Sequence, residues 1–312
     1  MGDTAAHVLD RLNRWTSRIP SPVALPVIGA AVGALRGRSA KPPDAGPAVA
    51  AGTLRALTLN IGAAAPLRAA AILRWLVPRS DDVIVLTETS SGAGTRLLID
   101  GLEQRGYHVH ARMDARDRGV LVATRVKVAA TLDASLDVTL PWRVSGLLLD
   151  TSPKVTVVGV YVPSRDRSAL KVARKEAFLE SLLESVGAQP DAVRRHLLLV
   201  GDYNVVRRDH SPRIPGFFSY EYDFHDRLES FGLTAAHELV PRREQPHSWM
   251  GRTGTGYLYD YVHVGSALHS RVARCAYLHG PRERRLSDHA AVSVRLRLST
   301  GHGADEGGVE RG

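Results

Sequence analysis

The sequence is poor in the residues and motifs that would assign it quickly. Its single cysteine, Cys275, excludes an intrachain disulfide framework and any Cys-rich zinc module. One free thiol is compatible with a reducing compartment. No G-x-x-x-x-G-K-[ST] loop is present, which argues against an ATP-driven enzyme, and no H-E-x-x-H pair occurs despite thirteen histidines. The G-x-S-x-G nucleophile elbow of α/β-hydrolases is missing too. No internal repeat is visible. The longest apolar run, residues 21–35 (SPVALPVIGAAVGAL), is short and broken by Pro22 and Pro26. A membrane-spanning helix needs roughly 20 apolar residues, so a span is not favoured. The same run could serve as the apolar part of a signal peptide, but Leu35, Arg36 and Gly37 follow it in place of a small-x-small cleavage site. A cytoplasmic location is expected, with export or membrane association through 21–35 as the alternative.

What the chain does have is length, an ordinary globular composition and positive charge. Its 312 residues can bury a full core, and 44% hydrophobic with 23% charged residues is the usual globular balance. A formal net charge of +9 and a sequence pI near 10.0 favour polyanionic partners, nucleic acid or an acidic membrane surface. Residues 1–52 read as an N-terminal extension ending in a Pro/Ala/Gly-rich linker, and 299–312 as a Gly-rich polar tail. Between them, 53–298 reads as one domain, because no interior stretch has linker composition.

Within that domain, apolar runs of strand length occur at 54–59, 83–86, 119–123, 146–149, 155–160, 197–200, 258–264, 271–278 and 290–298. Helical stretches separate several of them. Pro66 opens one, with Ile72, Leu73 and Leu76 on one face before Pro78. Ser168 is placed to cap another, in which Phe178, Leu179, Leu182, Leu183 and Val186 fall at helical spacing and Gly187 reads as the stop. Strands joined partly through helices and partly directly imply an α/β chain of two packed mixed sheets covered by helices.

Five of these strands border reactive side chains, the place where α/β folds present chemistry. Asn60 ends LRALTLN, Glu88 follows DVIVLT, and Tyr161 ends VTVVGVY. Asp202 and Asn204 lie in the GDYN after HLLLV, and Asp288 and His289 stand before the last strand. Any one of these suits a turn or a cap. Together they suit phosphodiester hydrolysis. Mg²⁺ prefers carboxylate oxygen, water and phosphate, which Glu88 and Asp288 can complement. Asp202 can take a proton from water while the Asn204 amide holds the phosphate or the nucleophile. Asp260, in GYLYDYVHV, can raise the pKa of His289 so that imidazolium meets the developing charge. Tyr161 offers a phenol to the same centre. Basic residues near these segments, Arg207 and Arg208 after Asn204 and Arg284 and Arg285 before Ser287, are candidates for gripping a phosphate backbone, with Arg282 beside them.

The ordered series TLN, DVIVLTET, GVLVATR, GVYVPS, VGDYN, HSWMGRTGTGYLYDYV and LSDHAAV resembles the endonuclease/exonuclease/phosphatase superfamily over residues 54–298. YVPSRD with the following KVARKEAFLESLLE, and SWMGRTGTGYLYDY, are most similar to its exonuclease III/AP endonuclease branch. The resemblance implies a four-layer sandwich of two packed mixed β-sheets flanked by helices, with Mg²⁺ or Mn²⁺ at its mouth. It implies Asn60, Glu88 and Asp288 near the metal, Tyr161 and Asn204 on the phosphate, and Asp202 at the nucleophilic water or leaving group. Asp260 and His289 are implied as a pair, and Trp249 as what survives of a tryptophan-rich substrate segment. The chain also departs from the pattern. Asn60-Ile61-Gly62-Ala63 lacks the acid or amide expected two residues after the asparagine, which makes one metal ion the expectation. Thr87 replaces the usual glutamine, and Tyr257-Leu258-Tyr259 replaces Gly-Trp-Arg-Ile. The expected activity is a DNA endonuclease or exonuclease using one-step attack by water, acting as a monomer. The alternatives are a lipid-headgroup or small-molecule phosphodiesterase or phosphatase of the same fold, and a lapsed binding module.

Overall fold

The computed structural model describes residues 52–164, 168–242 and 244–298. The extension with its apolar 21–35 segment, and the tail from 299, lie outside the described residues. Fourteen strands and six α-helices occupy the described part. The strands are β1 (Thr53–Asn60), β2 (Val83–Thr89), β3 (His108–Arg112), β4 (Gly119–Thr124), β5 (Val128–Thr131), β6 (Val144–Leu149) and β7 (Val155–Tyr161). They continue with β8 (Leu197–Asp202), β9 (Leu233–Ala235), β10 (Trp249–Met250), β11 (Gly256–Tyr257), β12 (Asp260–Gly265), β13 (Val272–Leu278) and β14 (Ala291–Arg297). The helices are α1 (Pro66–Leu76), α2 (Ala93–Glu103), α3 (Ala169–Gly187), α4 (Asp191–Arg194), α5 (Ser219–Ser230) and α6 (Gly280–Glu283). Among the described residues no helix is long and apolar enough to cross a membrane.

Two six-stranded sheets form the centre, in the orders β13-β14-β1-β2-β4-β3 and β5-β6-β7-β8-β12-β9. Each is mixed for the same reason. β1 and β2 are parallel because α1 carries the chain across between them, and β7 and β8 are parallel because α3 does the same; the other pairs are antiparallel. The sheets pack face to face through Leu54, Val83, Val120 and Val122 on one side and Leu147, Val157, Leu198, Val200 and Val262 on the other. Helices cover the outer faces: α1 and α2 over Leu57, Leu59, Ile84 and Leu86, α3 and α5 over Val158, Val160, Leu199 and Tyr261. Helix, sheet, sheet and helix make the expected four layers.

Local sequence explains the elements that matter most. α1 begins on Pro66, whose missing N–H would be unpaired at that position anyway, and buries Ala69, Ile72 and Leu76 at spacings that share one face. α3 buries Phe178, Leu179, Leu182, Leu183 and Val186, each such side chain contributing about 1.5–3 kcal/mol of transfer free energy. Gly187 is the last helical residue rather than the stop. A Cβ there would meet the Phe231 ring at 3.1 Å, so glycine lets that aromatic pack against the helix end. The strand read at 258–264 begins only at Asp260, because Leu258 and Tyr259 belong to the loop that carries it.

Candidate active site

The two parallel pairs run in register, so their C-terminal ends deliver side chains to one mouth between the sheets. β1 ends on Asn60, β2 on the segment containing Glu88, β7 on Tyr161 and β8 on Asp202. Asn60 is paired with Thr87, and Tyr161 lies opposite Asp202. From the antiparallel direction, β12 starts at Asp260, directly across from Asp202, and His289 precedes β14. Six residues from distant parts of the chain thereby meet.

Two glycines allow this convergence. Gly201 has φ +149, and a Cβ on it would lie 1.9 Å from the Val160 carbonyl oxygen. Only glycine lets β8 deliver Asp202 so close to β7. A Cβ on Gly159 would approach Val85 and Val122 at 2.9 Å each, so its absence lets the sheets close together below the mouth. Strain also collects at the rim. Glu88 has φ +53 at a register shift in β2, and Asn204 has φ +51. A left-handed glutamate is costly, and such conformations cluster where a side chain must be aimed.

One hydrogen-bonded network links the sheets. The Asn60 amide donates to Glu88 Oε1 at 3.0 Å and to Asp202 Oδ2 at 2.8 Å, while its Oδ1 accepts from the Gly62 N–H at 2.9 Å. Asp202 Oδ1 accepts the Asn204 backbone N–H at 2.9 Å, and the Asn204 amide donates to Asp202 Oδ2 at 3.2 Å and to the Val162 carbonyl at 3.0 Å. His289 Nδ1 lies 2.7 Å from Asp260 Oδ2. The other oxygen of Asp260 is buried and has no hydrogen-bond partner among the described residues. One ligand-type atom from each of Asp202, Asp260 and His289 lies within 4.8 Å of the others.

Electrostatics distinguish these groups. Burial alone would strip the proton from His289, but the adjoining Asp260 carboxylate, reinforced by Asp202 and Asp288, pushes its pKa up to about 10. Imidazolium is its neutral-pH form. Asp202 is wholly buried and faces Asp260, so its pKa is pushed up to about 8, with His289 and Asn60 opposing the shift. Tyr161 is held protonated by burial and by the carboxylates of Glu88 and Asp202.

Support around this centre was not legible in the sequence. The Ser248 hydroxyl accepts the backbone N–H groups of Tyr259 and Asp260, each at 3.0 Å. Ser287 donates to the Asn60 carbonyl at 2.6 Å and accepts the His289 N–H at 3.0 Å. The Arg68 guanidinium bonds the carbonyls of Ile61, Gly62 and Leu286, fastening the segment after Asn60 to the one before His289. Arg143 lies 4.5 Å over the Tyr161 ring and is held by Asp117 at 2.7 and 3.0 Å. Lys175 is buried between the Asn204 carbonyl, 2.8 Å, and Glu221, 2.6 Å. The Ser-x-His spacing of Ser287 and His289 gave a local hint; Arg143 with Asp117, Lys175 with Asn204 and Glu221, Ser287 with Asn60 and Arg68 with Leu286 are pairs more than twenty residues apart.

The remaining candidates divide. Asp288 is exposed and accepts the Trp249 indole N–H at 3.0 Å; Trp249 packs against Tyr257 and Tyr259 with ring centroids at 5.3 and 5.8 Å. Arg284 and Arg285 are exposed on the same loop as Asp288. Arg207 and Arg208 differ from the sequence expectation. Arg207 is held by Glu229, Glu238 and Asp209, and Arg208 by Asp223 and Asp226, so both bind α5 and its surroundings rather than face the mouth as free cations.

Comparison with known proteins agrees with this geometry. Residues 57–290 match the model of the Endonuclease/Exonuclease/phosphatase family. The chain belongs to that family. Membership makes it a phosphoester hydrolase of the nuclease or phosphatase kind. Its fold is similar to that of a 3′-5′ exonuclease from Neisseria meningitidis, with a TM-score of 0.67 and 21% identity over 78% of this chain and 100% of that one. It is also similar to a 3′ phosphatase from Neisseria solved with a product DNA hairpin (TM-score 0.65, 21% identity, 78% and 100% covered). An AP endonuclease from Archaeoglobus fulgidus is a further likeness (TM-score 0.65, 19% identity, 77% and 98% covered). No curated protein matches the sequence.

Proposed function

We propose that the chain is a divalent-metal-dependent nuclease of this family that hydrolyses DNA backbone phosphodiesters by one-step attack of water. The observation that carries the reading is the Asp260–His289–Asp202–Asn60–Glu88 constellation, which joins an imidazolium, an ionisable buried carboxylate and a hard-oxygen donor in one mouth. Metal donors and proton-handling groups separate by chemistry. His289 keeps its proton and its Nδ1 is engaged by Asp260, so it is a poor ligand although it belongs to the tightest cluster. Glu88, exposed Asp288 and the second lone pair of Asn60 Oδ1 are the oxygens suited to Mg²⁺ or Mn²⁺. When bound, the ion supplies charge stabilisation at the phosphoryl oxygens and favours the ionised form of Asp202.

The chain's own residues account for the rest. Asp202, once ionised, takes the proton of the attacking water, with Asn204 holding it in place. His289 donates a hydrogen bond to the phosphoryl oxygen as charge develops, and Asp260 keeps that proton available. Tyr161 stays a neutral phenol and adds a second donor. Trp249, bonded to Asp288, and Arg284 and Arg285, exposed on the same loop, are the residues proposed to contact the flanking strand; Asp288 also lines a recess of about 520 Å³ with His247, Met250, His279 and Arg282. The net charge of +9 supports a polyanionic substrate. The reading includes a monomeric, cytoplasmic enzyme.

The test is cleavage of plasmid DNA, an abasic duplex and a lipid phosphodiester by purified protein with Mg²⁺ or Mn²⁺, alongside Asp202→Ala and His289→Ala. DNA cleavage lost in both variants is expected. No metal-dependent cleavage of any substrate would overturn the enzyme reading, and lipid turnover without DNA cleavage would replace the substrate.

A further inference from the structure

Far from the mouth, the outer face of the first sheet carries an arrangement that folding stability does not favour. Arg55 on β1 is the direct cross-strand partner of Arg295 on β14, and Arg295 is the direct partner of Arg274 on β13. Like charges facing each other across a ladder, with Cβ atoms about 5 Å apart, are destabilising. Arg79, just beyond α1, is the fourth arginine lining a recess of about 210 Å³ on this face, where Arg274 and Arg295 are exposed. Ala276 and Ser293, themselves cross-strand partners, line the same recess with small side chains that leave room between the arginines.

The acids nearby, Asp81 and Asp82, offset the charge of Arg79 and part of that of Arg55, but not that of Arg274 and Arg295. Asp81 is the only carboxylate among the residues lining the recess; it is buried and is bonded to Arg79 at 3.1 Å. Asp82 accepts the backbone N–H of Arg55 at 2.8 Å rather than its guanidinium. Among the described residues the side chains of Arg55, Arg274 and Arg295 make no ion pair, in contrast to Arg143, Arg207 and Arg208. Arg79 is further fixed by lying 4.9 Å over the Trp75 ring. Four arginines lining one small concave volume suit a compact anion with several oxygens, which planar guanidinium forks can bind.

We propose that this recess is a phosphate-binding site separate from the reactive centre. Arg55 precedes Asn60 by five residues on one strand, a separation of about 17 Å at roughly 3.4 Å per residue. The group bound here is therefore not the phosphate being cleaved. The volume takes one phosphate-sized group, either free phosphate or the terminal phosphate of a nucleic-acid strand, rather than a length of backbone. This site stands or falls independently of the proposed hydrolysis.

The experiment is a phosphate titration of the full-length protein without added divalent metal, by calorimetry and thermal unfolding. It compares wild type, Arg295→Ser, Arg274→Ser/Arg295→Ser and, as a reactive-centre control, Asp202→Asn. Wild type and Asp202→Asn should both gain Tm with inorganic phosphate. Arg295→Ser should start from a higher Tm in phosphate-free buffer, since repulsion is relieved, yet bind phosphate roughly tenfold more weakly. The double variant should lose the phosphate-dependent gain. An equal gain in wild type and the double variant, or its loss in Asp202→Asn, would overturn the proposal. In the Asp202→Asn background, competition by a 5′-phosphorylated oligonucleotide but not by its 5′-hydroxyl form assigns the site to strand ends. Competition by neither assigns it to the free anion.

Discussion

Two buried clusters of the same residue types lie within one strand's length of each other and behave in opposite ways. At the mouth, His289 sits against Asp260, and the pair holds a proton. Three residues further along β12, His263 lies in a fully buried stack with Tyr203, Tyr261 and His225, its ring centroid 5.4 Å from that of Tyr203 and 5.5 Å from those of Tyr261 and His225. No carboxylate contacts that ring, and neither of its nitrogens has a hydrogen-bond partner among the described residues. Burial drives its pKa well below the usual value, and pushes those of His225 and His237 down to about 3. Burial thus acts on both clusters, but of these histidines only His289, hydrogen-bonded to a carboxylate at 2.7 Å, keeps its charge; Glu238 at 4.0 Å is too weak a partner to do the same for His237. Residue type alone says little about a buried imidazole; the neighbour decides whether it serves chemistry or packing.

The largest test of this contrast is His289→Ala, expected to lower kcat by about 10³-fold or more if the imidazolium donates to the reacting phosphate. A loss below tenfold would demote it to packing. Asp260→Asn should cost about 10²-fold at neutral pH, because the pKa of His289 would fall from about 10 toward the ordinary value near 6.5. Its signature is a pH profile whose upper limb moves to lower pH; an unmoved limb would show that Asp260 does not control that proton. If Asp202 takes the water's proton, its ionisation sets the lower limb in wild type, so kcat/KM should rise with pH up to about 8, or at lower pH once metal is bound.

Structural effects are smaller in rate but direct in stability. Lys175→Met leaves Glu221 buried without its cation, a change that typically costs about 3 kcal/mol, read as a shift in urea midpoint. Because Lys175 also bonds the Asn204 carbonyl, kcat should fall with it. At the packing cluster the pH dependence has the opposite origin from that at the mouth. In the unfolded chain His225 and His237 take up protons below about 6.5, whereas in the folded protein they do so only near 3. The unfolded state therefore binds more protons in between, and stability should fall as pH drops from 6.5 toward 3. His263→Phe should flatten that loss and raise neutral-pH stability by about 1 kcal/mol, since it removes two unpaired polar atoms. An unchanged acid slope would mean that the stack does not govern acid unfolding.

The layers and most strands could be read from apolar runs, because central strands buried on both faces are continuous in Val and Leu. β3 and β5 escaped that reading, being short edge strands: β3 (HVHAR) alternates but offers only Val109 and Ala111 as its apolar face, and β5 (VAAT) is mostly exposed and does not alternate. α2 and α5 escaped it as well. At the site, Asn60, Glu88, Tyr161, Asp202 and His289 were visible as polar residues bordering apolar runs, and Asp260 as an acid within one. Their helpers were not: Arg143 with Asp117, Lys175 with Glu221, and Arg68 with Leu286 depend on folding to meet at all.

The sequence by itself determined which groups arrive at the mouth, since strand length and the order of runs place an amide, carboxylates, a phenol and an imidazole at strand ends. Only the tertiary structure decided what each does there. Asp202 and Asp260 share a register position across two strands, His289 reaches Asp260 rather than open water, and Arg207 turns to carboxylates beside α5 instead of a substrate. The same holds for the arginine row, three residues separated by up to 240 positions that become neighbours only when β14 pairs between β1 and β13. Protonation state and charge pairing depend on distance through space and on solvent exclusion, and neither is a property of the chain until it folds.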